Sequence, residues 1–353
     1  MKPTDFNGRT IYANGHRIHV KTLGEVGPLV LLCHGFPESW YSWWPQMIAL
    51  ADAGYRVAAM DMRGYGRSGK PTDSSAYRMT DLVGDCVAVV EGLGEANAVV
   101  VGHDLGATVA WTAAWTRPDI FRAVAGLSVP FGGRGLAGLP GNPFGDRHPH
   151  DVQAEIAGPD RMFYHEYFCL PGDVAAREAE QDIRRWLTST YYSLSADRPL
   201  PPELHGADLT TLPHEFLLQF VRAAMSVPRD GDIGSMIELP AALPRWLSPE
   251  FLEHGVAEFE YSGLAAPMNN YRNAVDDWEA LGQFQDQPVS VPALYIGGDR
   301  DIVTIWAQEA IARASERITD LRGTIIIPNC GHWLPQEQPE AVNAALIKFL
   351  KGL

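Results

Sequence analysis

The sequence is poor in basic residues: 28 lysines and arginines stand against 43 aspartates and glutamates, and the formal net charge is −15. A surface this acidic repels a phosphate backbone, so we expect no nucleic-acid partner. Long apolar runs are also missing. None approaches the roughly 18 residues of a spanning helix, so we expect no membrane insertion. Residues 1–9 lack the apolar segment of a secretory signal, and these absences together predict a cytoplasmic protein.

Cysteine is scarce, and the four cysteines of the chain do not have the spacing of a metal site. A chain of 353 residues does not need disulfides, so we expect reduced thiols. The stretch His148-Pro-His150-Asp151 resembles a metal cluster, but its proline and its Gly/Pro-rich setting favour a loop. Arg63-Gly-Tyr-Gly-Arg67 lacks the strand and helix context of a dinucleotide site. We therefore expect neither a metal nor a cofactor.

The composition is that of a globular protein, with 46% hydrophobic and 20% charged residues. A length of 353 residues predicts about two domains. The first segment predicts a β-hairpin, because residues 9–13 and 17–21 flank Asn14-Gly15, a pair that readily adopts two positive φ angles.

Apolar runs and helical patterns then alternate along the chain. Four apolar runs bounded by Gly, Pro or Asp predict strands buried on both faces, over 29–33, 57–60, 98–101 and 123–129. Helical patterns lie between them, over 44–53, 80–93 and 105–116. This rhythm predicts a parallel sheet with helices on both sides.

The alternation stops from about residue 130 to 285, where Pro/Gly-rich joints separate helical patches such as 175–187. It resumes with a strand over 293–297, a helix over 305–314, a strand over 324–327 and a helix over 339–350. The predicted fold class is therefore α/β, a mostly parallel sheet flanked by helices with an inserted, mainly helical cap. We expect a discontinuous core over 1–131 and 283–353, and a cap with its connecting loops over 132–282.

The stretch Gly102-His-Asp-Leu-Gly106 follows a predicted strand and begins a predicted helix. This is the pattern of a nucleophile elbow, a sharp turn that exposes one side chain. The two glycines permit the strained backbone and the close packing of helix on strand. The exposed residue is Asp104, which has a second interpretation as a simple N-cap of the helix.

Two later segments supply the partners that a nucleophilic aspartate needs. His332 lies on a loop after the last predicted strand of the core, where the elbow requires a base. The strand before that one leads into Gly297-Gly-Asp-Arg-Asp301, which offers an acid to orient the imidazole. Its spacing favours Asp301 over Asp299. The order of nucleophile, acid and histidine is the one that accompanies this elbow.

The loop His34-Gly-Phe-Pro37 follows the strand over 29–33, where one backbone amide completes an oxyanion hole with the residue after the nucleophile. We assign these two amides to Phe36 and Leu105. A carboxylate is already ionised near neutral pH and attacks an sp³ carbon directly, which forms an alkyl-enzyme ester. His332 is then free to deprotonate the water that hydrolyses the ester.

Five motifs together resemble those of the α/β-hydrolase-fold epoxide hydrolases, in particular the bacterial soluble type, over nearly the whole chain. They are His34-Gly-Phe-Pro-Glu-Ser-Trp40, Asp61-Met-Arg-Gly-Tyr-Gly-Arg-Ser68, Gly102-His-Asp-Leu-Gly106, Gly298-Asp-Arg-Asp301 and Gly331-His-Trp333. The resemblance implies two cap tyrosines that hold the epoxide oxygen. The segment 162–168 points to Tyr164, with Tyr167 one turn away, and the segment 268–273 points to Tyr271.

The resemblance also implies the reaction, the hydrolysis of a small neutral epoxide to a vicinal diol without a cofactor. We expect the substrate pocket to be lined by Phe36, Trp40, Leu105 and Trp333. A homodimer is the default assembly.

Other functions share parts of this pattern. The related haloalkane dehalogenases carry a tryptophan just after the nucleophile, where this chain has Leu105, and paired phenols suit a leaving alkoxide better than a halide. Leu105 departs from many epoxide hydrolases too, which bears on the shape of the pocket. A non-catalytic binding protein has no need of the nucleophile, acid and histidine together. A serine esterase would need a serine at the elbow.

Overall fold

A computed structural model describes residues 6–353 of the chain, and the first five residues of the predicted core segment lie outside this range. An eight-stranded sheet forms the core, in the order β1-β2-β4-β3-β5-β6-β9-β10. Only β2 runs against the other strands, so the sheet is mostly parallel as predicted. The sheet strands are β1 (Asn7–Ala13), β2 (His16–Leu23), β3 (Leu29–Cys33), β4 (Arg56–Met60), β5 (Ala98–His103), β6 (Phe121–Leu127), β9 (Ala293–Gly298) and β10 (Leu321–Ile327).

The predicted hairpin is confirmed, with Asn14 and Gly15 at φ 48° and 78° between β1 and β2. The central strands are buried on both faces, since the side chains of β3 alternate between two apolar clusters. Val30 and Leu32 pack into the cluster on one side of the sheet, and Leu31 packs into the other. This explains why the strand reads as an unbroken apolar run.

The helices of the core cover both faces of the sheet. They are α1 (Trp44–Asp52), α2 (Met79–Gly92), α3 (Leu105–Thr116), α12 (Ile302–Trp306), α13 (Gln308–Ala312), α14 (Leu334–Glu337) and α15 (Pro339–Lys351). The prediction of one helix over 305–314 is wrong, because Ala307 adopts φ −90° and ψ 14° and separates α12 from α13. The strand predicted over 123–129 ends at Leu127, because Ser128 turns the chain at φ 68°.

An inserted and mainly helical cap lies between β6 and β9, as predicted. Its helices are α4 (Pro149–Ala157), α5 (Tyr164–Phe168), α6 (Val174–Glu180), α7 (Ile183–Ser193), α8 (His214–Met225), α9 (Pro249–Ser262), α10 (Ala265–Met268) and α11 (Ala274–Ala280). The helical patch predicted over 175–187 is two helices, since Asp182 caps α7 by accepting a hydrogen bond from the Arg185 amide. The residue bounds 132 and 282 remain predictions.

The cap also contains two short strands that the sequence did not predict. They are β7 (Arg161–Phe163) and β8 (Ser226–Pro228), which pair antiparallel. Because β7 runs directly into α5, this pairing fixes the position of Tyr164, the first residue of that helix. Within residues 6–353, no helix combines the length and the apolar character that crossing a bilayer requires.

Candidate active site

The predicted elbow joins β5 to α3 in a strained turn. Asp104 has φ 51° and ψ −123°, a conformation that is rare for residues other than glycine and that tends to occur at functional sites. A Cβ atom on Gly102 would lie 2.0 Å from the Gly106 oxygen, and one on Gly106 would lie 2.1 Å from the Cys33 oxygen. Both positions therefore require glycine.

The carboxylate of Asp104 is turned toward the loop after β3. Its Oδ1 accepts a hydrogen bond of 2.8 Å from the backbone amide of Phe36. In the described part of the chain it makes no capping hydrogen bond with α3, so the N-cap interpretation does not account for this residue. Leu105 is the first residue of α3, and amides in the first turn of a helix have no partner within it.

His332 lies on the loop between β10 and α14 and stands between two carboxylates. Its Nε2 is 3.5 Å from Oδ2 of Asp104, and its Nδ1 is 3.0 Å from Oδ1 of Asp301. The imidazole therefore contacts both carboxylates, although Asp301 lies 197 positions after Asp104 and 31 positions before His332 in the sequence.

Asp301, rather than Asp299, is the acid that contacts the imidazole. It is fully buried at the start of α12, where its Oδ1 also accepts a hydrogen bond from the Val303 amide. Asp299 instead accepts a hydrogen bond of 3.3 Å from the Cys330 amide. The aspartate that the spacing favoured is therefore the one in contact with His332, and its catalytic role remains a prediction.

Burial and charge shape the protonation of these three groups. Burial by itself lowers the pKa of His332, but Asp301 and Asp104 outweigh it through their charges and hydrogen bonds and raise that pKa to about 10. Burial opposes ionisation of Asp104, yet the imidazole of His332 holds the pKa of Asp104 below its usual value. The site therefore contains an ionised carboxylate beside an imidazolium.

Tyr164 and Tyr271 come together beside the elbow, with ring centroids 6.0 Å apart, and both line the same cavity as Asp104. Burial raises the pKa of each phenol well above 10, and the charge of Asp104 adds to this. Both therefore remain protonated donors at neutral pH. Tyr167 points elsewhere, since its hydroxyl donates a hydrogen bond of 2.6 Å to Glu178.

The main cavity has a volume of about 620 Å³ and is largely apolar. Phe36 lines it, but the prediction that Trp40 and Trp333 line it as well is wrong. Trp40 packs on Phe6, and the indole of Trp333 is buried behind the site and donates a hydrogen bond to the Tyr191 carbonyl. Leu105 lines a second, smaller cavity.

Residues that the sequence did not point to support the site. The hydroxyl of Ser128, at the end of β6, donates a hydrogen bond of 2.6 Å to Oδ2 of Asp301 and lies 3.1 Å from Nδ1 of His332. His103 bridges Glu38 and the His332 carbonyl, with 2.8 Å at each end. His103 was visible in the elbow motif, but nothing local in the sequence marks Ser128 as a partner of residues 173 and 204 positions away.

The imidazoles of His148 and His150 pack edge to face, with ring centroids 5.5 Å apart. Among the side chains that the structure describes, no group of three or more His, Cys, Asp or Glu has an arrangement that could hold a metal ion.

Comparison with known proteins places this geometry in context. A protein-family model described as "alpha/beta hydrolase fold" matches residues 28–152, and a second family model, described as "Alpha/beta hydrolase family", matches residues 209–345. The chain is 44% identical to epoxide hydrolase B of Mycobacterium tuberculosis, over 98% of each chain. It is 38% identical to epoxide hydrolase A of the same organism, over 98% of this chain and 97% of that one.

The fold of this chain is also similar to those of solved epoxide hydrolase structures. An epoxide hydrolase from an endophytic Streptomyces superposes with a TM-score of 0.86 at 42% identity, over 98% of this chain and 96% of that chain. Epoxide hydrolase A from Mycobacterium thermoresistibile superposes with a TM-score of 0.84 at 36% identity, over 99% of both chains.

Proposed function

The chain belongs to the epoxide hydrolases of the α/β-hydrolase fold, and we propose that it converts an epoxide and water to a vicinal diol through an ester on Asp104. The observation that carries this mechanism is the meeting of three kinds of group in one cavity. These are an ionised carboxylate, a histidine paired with a second carboxylate, and two protonated phenols.

In the first step, Asp104 attacks a ring carbon of the epoxide. Its Oδ1 is held by the Phe36 amide, so Oδ2 is the attacking oxygen. The C–O bond of the ring breaks as the ester bond forms, and the oxygen leaves as an alkoxide. Tyr164 and Tyr271 hold this oxygen and supply its proton, a role that suits phenols that do not ionise at neutral pH.

Ester formation removes the negative charge of Asp104, and this change prepares the second step. The resting pKa of His332 is about 10 partly because of that charge. Once it is gone, the imidazolium gives up its proton, and this proton restores the phenol that protonated the alkoxide. The enzyme then holds a neutral imidazole beside a hydroxy-ester.

In the second step, His332 deprotonates a water molecule, and the resulting hydroxide attacks Cγ of Asp104. The amides of Phe36 and Leu105 stabilise the oxyanion of the tetrahedral intermediate. Asp301 holds the tautomer of the imidazole and stabilises its cation. Collapse of the intermediate breaks the ester C–O bond, the leaving alkoxide takes the proton of the newly formed carboxyl group, and the diol departs from a site that again holds the carboxylate and the imidazolium.

A His332→Gln variant tests the order of these steps. Incubated with styrene oxide, it should form the ester and fail to hydrolyse it, so mass spectrometry should find the added mass on the peptide that contains Asp104. His16→Gln, in the strand β2 of the hairpin, is the matched control and should turn over without accumulating an adduct. Full turnover by His332→Gln with no adduct would overturn the mechanism.

A cytoplasmic location and a homodimer remain predictions from the sequence. A native mass spectrum would test the assembly.

A further inference from the structure

Two cavities meet at the reacting groups. The larger has a volume of about 620 Å³ and the smaller about 90 Å³. Four residues line both of them: Asp104, Tyr164, Tyr271 and Val303. An epoxide whose oxygen lies between the phenols and whose carbon faces Asp104 therefore has one cavity on each side.

The two cavities differ in what they can hold. A cavity of about 150 Å³ inside a protein binds benzene, so the smaller cavity is too small for a phenyl ring, while the larger accepts several such groups. A short alkyl group fits the smaller one.

Apolar side chains form most of the wall of the smaller cavity, including Leu105, Leu139 and Trp306. Several polar groups of this wall have protein partners, whereas the buried side-chain oxygen of Asn270 has none among the described residues. Asp277 accepts a hydrogen bond of 2.8 Å from the Met79 amide.

The histidine of the same wall is uncharged at neutral pH. His165 lies 3.2 Å from the side-chain nitrogen of Gln153, and burial lowers the pKa of His165 to about 4. The remaining free surface of the smaller cavity suits an apolar group rather than a charged one.

We propose that the smaller cavity is the subsite for the shorter substituent of the epoxide. The substrates are then unsymmetrical epoxides that carry one bulky apolar group on one ring carbon and a hydrogen or a short alkyl group on the other. This proposal rests on the proposed function, and it adds the size limit on one side of the ring.

A hydrogen bond between two segments holds the wall of the subsite in place. The indole of Trp306 is buried and donates a hydrogen bond of 3.0 Å to the Ala137 carbonyl, which ties α12 to the loop that encloses the subsite. Ala137 and Leu139 line the smaller cavity and not the larger one, whereas Ala224 lines only the larger. These three positions allow each cavity to be changed separately.

The wild-type enzyme tests the size limit with three probes that share one phenyl group. They are styrene oxide, trans-1-phenylpropylene oxide and trans-stilbene oxide, in which the second substituent is hydrogen, methyl and phenyl. We expect kcat/KM to be similar for the first two and at least about 100-fold lower for the third, the discrimination that a filled apolar pocket provides.

Two variants move the limit in opposite directions. Ala137→Leu fills the subsite and should lower kcat/KM for trans-1-phenylpropylene oxide about tenfold relative to styrene oxide. Leu139→Ala enlarges it and should raise the relative activity on trans-stilbene oxide. Ala224→Leu, in the larger cavity, is the control and should leave the ratio between styrene oxide and trans-1-phenylpropylene oxide unchanged.

The outcomes separate this proposal from the one on which it rests. If no probe gives a diol, the proposed function fails. If trans-stilbene oxide reacts as fast as trans-1-phenylpropylene oxide, the enzyme is an epoxide hydrolase without this subsite. If Ala137→Leu slows all probes equally, the smaller cavity holds water or serves packing only, and the subsite is again refuted.

Discussion

Asp301 and Asp104 together raise the pKa of His332, and replacing the charge of Asp104 tests the central step of the proposed mechanism. Asp104→Asn keeps the shape of the side chain and removes its charge, as ester formation does. In the wild type, Nε2 of His332 lies 3.5 Å from Oδ2 of Asp104, and the pKa of His332 is raised to about 10. We expect the pKa of His332 to fall in the variant.

The size of the effect follows from the distance. Two unit charges 3.5 Å apart attract each other by about 5 kcal/mol at an effective dielectric constant of about 20. Each 1.36 kcal/mol changes proton affinity tenfold, so the imidazole should bind its proton roughly three orders of magnitude more weakly in the variant. His332 would then be largely neutral at pH values where the resting wild type holds a cation.

Nitrogen NMR of histidine-labelled protein measures this directly, through a pH titration of the imidazole shifts. Asp301→Asn, which removes the other carboxylate, should also lower the pKa of His332, because Asp301 lies 3.0 Å from Nδ1. Asp299→Asn is the matched control and should leave it unchanged, since Asp299 contacts the Cys330 amide instead.

The reasoning fails if His332 titrates at the same pH in Asp104→Asn and in the wild type. In that case Asp301 alone would set the protonation of the imidazole, and ester formation would not release its proton. An intact-mass measurement of the variant establishes that the introduced asparagine retains its amide.

Three further substitutions probe the donors and the support of the site. Tyr271→Phe should slow ester formation at least about tenfold in rapid mixing, since it removes one of two phenolic donors; slower ester hydrolysis instead would contradict its role. Tyr167→Phe should leave kcat/KM unchanged, because that hydroxyl is bonded within the cap, and a loss of activity would reopen the choice between the two tyrosines. Ser128→Ala removes a hydrogen bond to Asp301. The less stabilised carboxylate should hold the His332 cation more tightly. The acid limb of the pH–rate profile for ester hydrolysis should therefore move to higher pH, and an unchanged profile would rule out this positioning role.

The sequence allowed the parts of the site that depend on local backbone geometry to be predicted. The elbow is one example: Gly102 and Gly106 are required because a Cβ at either position would collide with backbone, and a strand must end where the turn begins. The alternation of apolar runs and helical patterns is another, because strands buried on both faces leave a pattern in the residues themselves.

Predictions that needed a second segment were less reliable. Trp40 and Trp333 were expected in the pocket from their neighbours in the motifs, yet both indoles are buried against other side chains. The pairing of β7 with β8 was missed because each strand has only three residues, too few to show a period.

The sequence by itself determined the fold class and suggested the proposed chemistry, since an aspartate at the elbow, a late histidine and an acid between them admit few reactions. Only the tertiary structure decided which aspartate touches His332, which tyrosine of α5 faces the cavity, and that Leu105 borders a separate small chamber. The physical reason is that a side chain's identity is local, whereas the space around it is formed by segments far apart in the chain. Ser128 and Asp301, 173 positions apart, share a hydrogen bond that no motif records.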